Sequence, residues 1–213
     1  MHSVKDIYLV RHGETDYNRL GVVQGSGIDA DLNELGRKQA KAFFEAYHHL
    51  ELDKIYTSKL RRTHQSVEAF IQKGIDWEQH EGLNEISWGS KEGKEANDED
   101  NLYYRNLVNT WREGNVHVTS DMGESPIDVL NRQKPVVELI ISRPEEKSVL
   151  IAMHGRAMRV LLTHLFNEPL HKMDHFSHYN LCLYHLRYDY QKAAFELLDA
   201  CNIDHLRHLP DSM

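Results

Sequence analysis

Apolar and polar positions alternate along this chain in blocks that switch between strand and helix periods. The run Ile7-Tyr8-Leu9-Val10 is too short for a helix and predicts a buried strand over 5–10. From 33 to 49, Ala40, Phe43, Phe44 and Tyr47 recur at helical spacing behind Asn33, a side chain suited to cap the first turn. The stretch between, 13–32, reads as loop. Ile55-Tyr56-Thr57 predicts a second strand, and Ser58 is placed to cap a helix that buries Leu60, Val67, Phe70 and Ile71. Residues 88–120 break the rhythm with Asn, Asp, Glu, Lys, Tyr and Trp and predict an excursion holding some helix around Leu102–Trp111. Ser125-Pro126 marks a helix start that runs through Val129, Val136, Val137, Leu139 and Ile140 and stops before Pro144. A strand at 148–153, a helix at 156–166 and strands near Leu181–Leu186 and Ala194–Leu198 complete the pattern. The implied fold class is a three-layer α/β/α sandwich with a mostly parallel central sheet and one antiparallel strand.

Length and composition narrow the classes of function. A chain of 213 residues, 40% hydrophobic and without a linker-like stretch, predicts one domain over 1–213 with the excursion inserted at 88–120. A formal net charge of −8 argues against nucleic acid or an anionic membrane as general partners, so any anion site must be a local positive cluster. Cys182 and Cys201 form no disulfide framework and no paired metal-ligand spacing. Met1-His2-Ser3-Val4-Lys5-Asp6 has no signal-peptide pattern, and no apolar stretch approaches the roughly 20 residues of a membrane span. The expectation is a soluble cytoplasmic protein. The acidic run Glu95-Ala96-Asn97-Asp98-Glu99-Asp100 reads as a solvated turn, because its ligand spacing and lack of a central Gly do not suit a calcium loop.

Chemistry is concentrated where strands end. Arg11-His12-Gly13 follows the first strand, and His154-Gly155-Arg156 follows the strand at 148–153. Ligands of open α/β sheets bind at the carboxyl ends of strands, so the two His-Gly pairs are placed to meet in one pocket, with Arg11 pointing to an anionic substrate. Asn18, Ser58-x-Leu60-x-Arg62-Thr63 and Glu85 within Leu83-Asn84-Glu85-Ile86 supply further polar groups. His171, His175 and His178 are spaced to share a helix face, yet no carboxylate or Cys completes a zinc site, so no metal is expected. Gly89-Ser90-Lys91-Glu92-Gly93-Lys94 has the wrong spacing for a nucleotide phosphate loop, and no organic cofactor motif occurs.

In this order and combination, over roughly residues 7 to 160, these motifs resemble the histidine phosphatase superfamily, also called phosphoglycerate mutase-like. The resemblance implies that His12 is the phosphohistidine nucleophile, its other ring nitrogen held by the Gly13 carbonyl. It implies that Arg11 and Arg62 hold the phosphoryl oxygens, that His154 donates a hydrogen bond to the transferring group, and that Glu85 is general acid and then base. Asn18, Gln24 near Gly25, and the N–H of Gly155 would add neutral donors. The Ser-x-Leu-x-Arg spacing selects Arg62 over Arg61, which is left to solvent or the pocket rim, and leaves Ser58 as a cap or supporting group.

The chemistry fits those roles. Phosphoryl transfer needs positive groups on the equatorial oxygens, an in-line nucleophile and a proton donor at the leaving oxygen. The same arginines disfavour the imidazolium form of His12 and keep it nucleophilic. Taken singly, each of these residues also fits a strand end, a core histidine or a surface carboxylate; the combination does not.

The favoured activity is a phosphomonoesterase acting on a small phosphorylated metabolite. The alternatives are a cofactor-dependent phosphoglycerate mutase and a non-catalytic protein that binds phosphorylated ligands. A mutase must grip a second anion, and the excursion is acidic apart from Lys91, Lys94, Arg105 and Arg112. A quiet binder would be expected to have lost His12 or Glu85. Trp88, Tyr103, Tyr104 and Trp111 are expected to pack the excursion onto the sheet rather than cap a substrate. The sequence does not set the oligomeric state.

Overall fold

Six strands form one sheet in the order β3-β2-β4-β1-β5-β6 in the computed structural model, which describes residues 4–94 and 97–209. The strands are β1 (Val4–Arg11), β2 (Lys54–Thr57), β3 (Trp77–Gln79), β4 (Ser148–Met153), β5 (Leu183–Asp189) and β6 (Ala194–Asn202). β1, β2, β3 and β4 pair in parallel, and β5 runs antiparallel to both of its neighbours. The architecture is the mixed α/β sandwich that the hydrophobic pattern predicts.

Strand alternation sorts the core into two layers. Ile7, Leu9, Val149, Ile151 and Met153 face α5 (Pro126–Ile141) and α6 (Gly155–Leu165), with α4 (Asp98–Arg112) packed beside them. Val10, Ile55, Leu150 and Ala152 face α2 (Glu34–Tyr47) and α3 (Arg61–Gln72) through Phe43, Val67 and Phe70. The helix starts follow local chemistry. Asn33 accepts from Gly36 N, and Ser125 with Asp128 makes a reciprocal capping box ahead of Pro126.

Several elements differ from the pattern-based expectation. The 13–32 loop contains a one-turn helix α1 (Asp16–Arg19), held by a capping box between Thr15 and Asn18. β3 is an additional edge strand, too short and polar to carry an alternation signal. Leu60, not Ser58, stands at the cap of α3; the Ser58 hydroxyl accepts from Leu60 N at 3.1 Å, short of the helix itself, and meets His154 Nε2 at 2.8 Å. α4 starts earlier than expected: Asn97 caps it and Asp98, Glu99 and Asp100 fill its first turn, where they favour the positive end of the helix dipole. Of the acidic run, Glu95 and Ala96 lie outside the described residues. His171 and His175 sit in a short 3-10 segment, Leu170–His175, that ends before His178, so the three histidines share no helix face.

Trp88 and Trp111 are buried, with ring centroids 5.7 Å apart, and anchor the excursion to the core as expected. Tyr103 and Tyr104 pack against the same core and, with Trp88, also line a cavity. Among the described residues, no helix is long and apolar enough to cross a membrane, and no group of three or more His, Cys, Asp or Glu is arranged to hold a metal ion.

Candidate active site

β1 and β4 are adjacent and end level with each other, Arg11 opposite Met153 in the parallel register. The next residue of each strand is a histidine, and the two rings meet with centroids 5.2 Å apart. His12 N–H bonds the Met153 carbonyl at 3.0 Å, which fixes the exit of β1. The neutral His12 ring donates from Nδ1 to the Gly13 carbonyl at 2.7 Å, so its lone pair lies on Nε2, which has no partner among the described residues. Burial, then the Arg62 and Arg11 charges, hold His12 well below the ordinary histidine range, against the opposing Gly13 hydrogen bond.

Arg62, fully buried, comes from the first turn of α3. Its guanidinium donates to Ile28 O at 2.6 Å and Gly25 O at 3.1 Å, and its Nε donates to His154 Nδ1 at 3.2 Å. Burial lowers it to about 10, which leaves it charged at neutral pH. Arg11 donates to the His178 carbonyl at 3.2 Å, and its Nε–H is buried without a partner among the described residues. A buried unpaired guanidinium donor is costly by itself, so this N–H stands ready for an anionic oxygen.

Glu85 is placed by α6 and by Arg132. Its Oε1 accepts from Ile86 N and Ala157 N, both at 2.9 Å, and its Oε2 accepts from Arg156 N at 3.1 Å. Arg132 clamps the preceding turn through the carbonyls of Gly82, Asn84 and Glu85. Oε2 keeps acceptor capacity toward a cavity of about 300 Å³, whose walls include Arg11, Gln24, Glu85, Trp88, Tyr104 and Gly155.

Other residues named from sequence fall into place unevenly. Gln24 lines the cavity, and its Oε1 accepts from Thr15 Oγ1 at 2.9 Å. Gly25 presents its carbonyl to Arg62; a Cβ there would stand 2.7 Å from Ile86 O, so only glycine fits. Gly155 opens α6 against Arg11 and His178. Asn18 stands in the cap of α1, where its Oδ1 accepts from Thr15 and Asn180; like His12, Arg62 and His154, it is not among the residues lining the 300 Å³ cavity. Arg61 pairs with Asp29 and Asp31 at the surface.

His154 departs from expectation in one respect. Because Arg62 donates to Nδ1, the neutral ring carries its proton on Nε2, 2.8 Å from Ser58 Oγ. Its N–H therefore faces Ser58, not the centre of the site. Burial, then the Arg62 charge, hold this ring well below the ordinary range as well.

Supporting groups that sequence reasoning passed over include Ser66, Asn180, His178 and Arg132. Ser66 Oγ accepts from Gly13 N at 2.8 Å, and Asn180 donates to the His12 carbonyl at 3.0 Å. Their roles arise from contacts 53 and 168 residues apart along the chain. Only the His-x-x-His spacing drew attention to His178, and it pointed to a metal.

A sequence profile of the histidine phosphatase superfamily (branch 1) matches residues 7–200. The chain belongs to that superfamily. Phosphoserine phosphatase 1 of Hydrogenobacter thermophilus is 31% identical over 167 residues, covering 78% of each chain. A 2,3-bisphosphoglycerate-dependent phosphoglycerate mutase of Bradyrhizobium diazoefficiens is 32% identical over 171 residues, 75% of this chain and 80% of that one. Among solved structures, the mycobacterial glucosyl-3-phosphoglycerate phosphatase Rv2419c with VO3 superposes with a TM-score of 0.79 at 27% identity, covering 93% of this chain and 98% of that one. Phosphatases and mutases thus both occur among the relatives of this superfamily member.

Proposed function

We propose that the chain is a phosphomonoesterase that works through a phosphohistidine on His12, needs no metal, and acts on a small phosphorylated metabolite. The observation that carries this reading is the His12 ring, its Nδ1 tied to Gly13 at 2.7 Å and its Nε2 unpartnered among the described residues beside two guanidiniums. Arg11 and Arg62 supply the positive charge that a divalent ion supplies in other phosphoryl-transfer sites.

In the first step Nε2 attacks phosphorus, the P–O ester bond breaks, and the leaving alkoxide takes a proton from Glu85. In the second, Glu85 accepts a proton from water as the water oxygen attacks phosphorus, the N–P bond breaks, and inorganic phosphate leaves. Glu85 fits both steps because it lines the cavity and its Oε2 carries a single backbone hydrogen bond.

Hydrolysis is favoured over mutase turnover by the cavity itself. Of its cations besides Arg11, Lys91 is tied to Asp100 at 2.7 Å and lies over the Tyr103 ring, and Arg156 is tied to Asp174, which leaves Lys94 as the cation without an ion pair among the described residues. A mutase must hold a bisphosphate through reorientation while excluding water.

The test is phosphate release, with a chelator present, from an aryl phosphate and a metabolite panel that includes 3-phosphoglycerate. Release by the native chain that disappears in His12→Ala, with circular dichroism unchanged, is the expected result. Conversion of 3-phosphoglycerate without phosphate release would assign a mutase. Phosphate binding with no turnover of any ester would assign a binding protein.

A further inference from the structure

Outside the catalytic cavity lies a second concavity of about 570 Å³, with Arg105, Arg112, Arg156 and Arg159 in its lining. Four guanidiniums around one hollow are unexpected on a chain of net charge −8. A single carboxylate holds three of them: Asp174 accepts from Arg112 at 2.8 Å, Arg156 at 2.5 Å and Arg159 at 2.7 Å. The fourth, Arg105, contacts only the Asn101 carbonyl, at 3.3 Å, and makes no ion pair among the described residues. The cluster therefore keeps a local excess of positive charge that Asp174 orders without neutralising.

Its position gives that charge a use. Tyr104, Arg156 and His178 line both this hollow and the 300 Å³ cavity, so the two share a wall. Arg156 links them directly, with its backbone N–H on Glu85 and its guanidinium on Asp174 and the Tyr104 hydroxyl. We infer that this outer hollow is a second oxyanion site, built for a phosphate or a similarly compact dianion. Guanidiniums are suited to it because their forked donors match such oxygens and carry little hydration to lose. The dianion arrives either as the far end of a doubly charged substrate or as a separate ion. Neither His12 nor Glu85 lines it, so it holds a distal group and not a phosphoryl that must turn over at the reacting nitrogen. The substrate arm of this inference rests on the hydrolase reading; the binding arm does not.

Inorganic phosphate titrated calorimetrically into the full chain tests the site without turnover. Two binding events are expected for the native protein and one for Arg105→Gln/Arg112→Gln. This double variant keeps Arg156 and Arg159 on Asp174, and its melting temperature verifies the fold. Identical isotherms for the two proteins overturn the proposal. Kinetics then separate the sources. If the second anion belongs to the substrate, the double variant lowers kcat/KM for esters bearing a second phosphate by about tenfold relative to an aryl phosphate. If it is a separate ion, added sulfate changes aryl phosphate turnover in the native chain and loses that effect in the variant.

Discussion

Glu85→Gln separates the structural and chemical duties of one carboxylate. In the native site Oε1 accepts two backbone N–H groups and Oε2 accepts one. A glutamine oriented with its oxygen toward Ile86 N and Ala157 N retains the pair and turns its NH2 against the Arg156 N–H. One charge-assisted bond is lost and a donor faces a donor, a cost of about 2–3 kcal/mol in stability. The amide also cannot supply the proton to the leaving oxygen, and loss of general acid–base catalysis costs about 10²–10⁴-fold in rate. That loss should fall on alkyl esters, whose leaving alkoxides need the proton, and largely spare the first step with a nitrophenyl ester. The assay is kcat/KM for a series of phosphate monoesters graded by leaving-group basicity, in native and variant protein, with melting curves alongside. The variant is expected to show a steeper dependence on leaving-group basicity and a lower melting temperature. Parallel lines for the two proteins, with equal losses on every ester, would remove Glu85 from the acid role and leave it a strut for the start of α6.

Three further outcomes follow from the same geometry. Arg62→Lys keeps a charge but loses the fork to Ile28 and Gly25 and the bond to His154, so kcat/KM on an aryl phosphate should fall by about 10²-fold or more; a change under threefold would take Arg62 off the phosphate. Because His12 is held well below the ordinary range, kcat should stay level as pH falls through 6.5, and a single-proton loss centred there would show that His12 titrates as an exposed histidine. His205 is buried against Phe43 and Tyr47 and is lowered to about 4 by burial. Its unfolded form therefore binds the extra proton between about 6.5 and 4, and stability is lost as pH falls through that window, at up to about 1.4 kcal/mol per pH unit. His205→Phe should raise the melting temperature more at pH 5 than at pH 7.5; equal shifts at both would show that His205 does not carry the acid sensitivity.

Legibility in the sequence tracked how local each cause is. β1 and β4 were readable because both faces of each are covered, giving continuous apolar runs, and their last residues lead straight into the two histidines. Asn33 and Ser125 were readable because a cap is a contact across three residues. β3 was not, since three residues with an exposed Trp77 at the sheet edge leave no periodic signature. Of the two uses expected of Ser58, cap or supporting group, the structure takes the second for a tertiary reason: its hydroxyl meets His154, 96 residues away. Asn18 also acts locally, because its Oδ1 completes the capping box with Thr15. The holders of the site, Asn180 on His12 and Arg132 behind Glu85, depend on which loops the sheet order brings together, and spacing along the chain does not encode that order.

Sheet register decides more here than where the groups sit; it also sets the protonation on which the proposed chemistry depends. Side chains alternate across a strand, so His12 continues the face of Val10, and His154 that of Ala152, toward α2 and α3. That face carries Arg62 and Ser66, while Arg11 emerges on the opposite side beside Gly155 and His178. The two imidazoles are thereby pressed together under a buried guanidinium, where adding a proton to either is opposed by burial and by Arg62, and at His154 also by the His12 ring. A slip of one residue between β1 and β4 would turn one histidine to the α5 and α6 face, away from Arg62, and remove the constraint that keeps His12 neutral. The fold accordingly positions the proposed nucleophile and keeps it neutral by burial and by the same arginines that the proposed mechanism assigns to the phosphoryl oxygens.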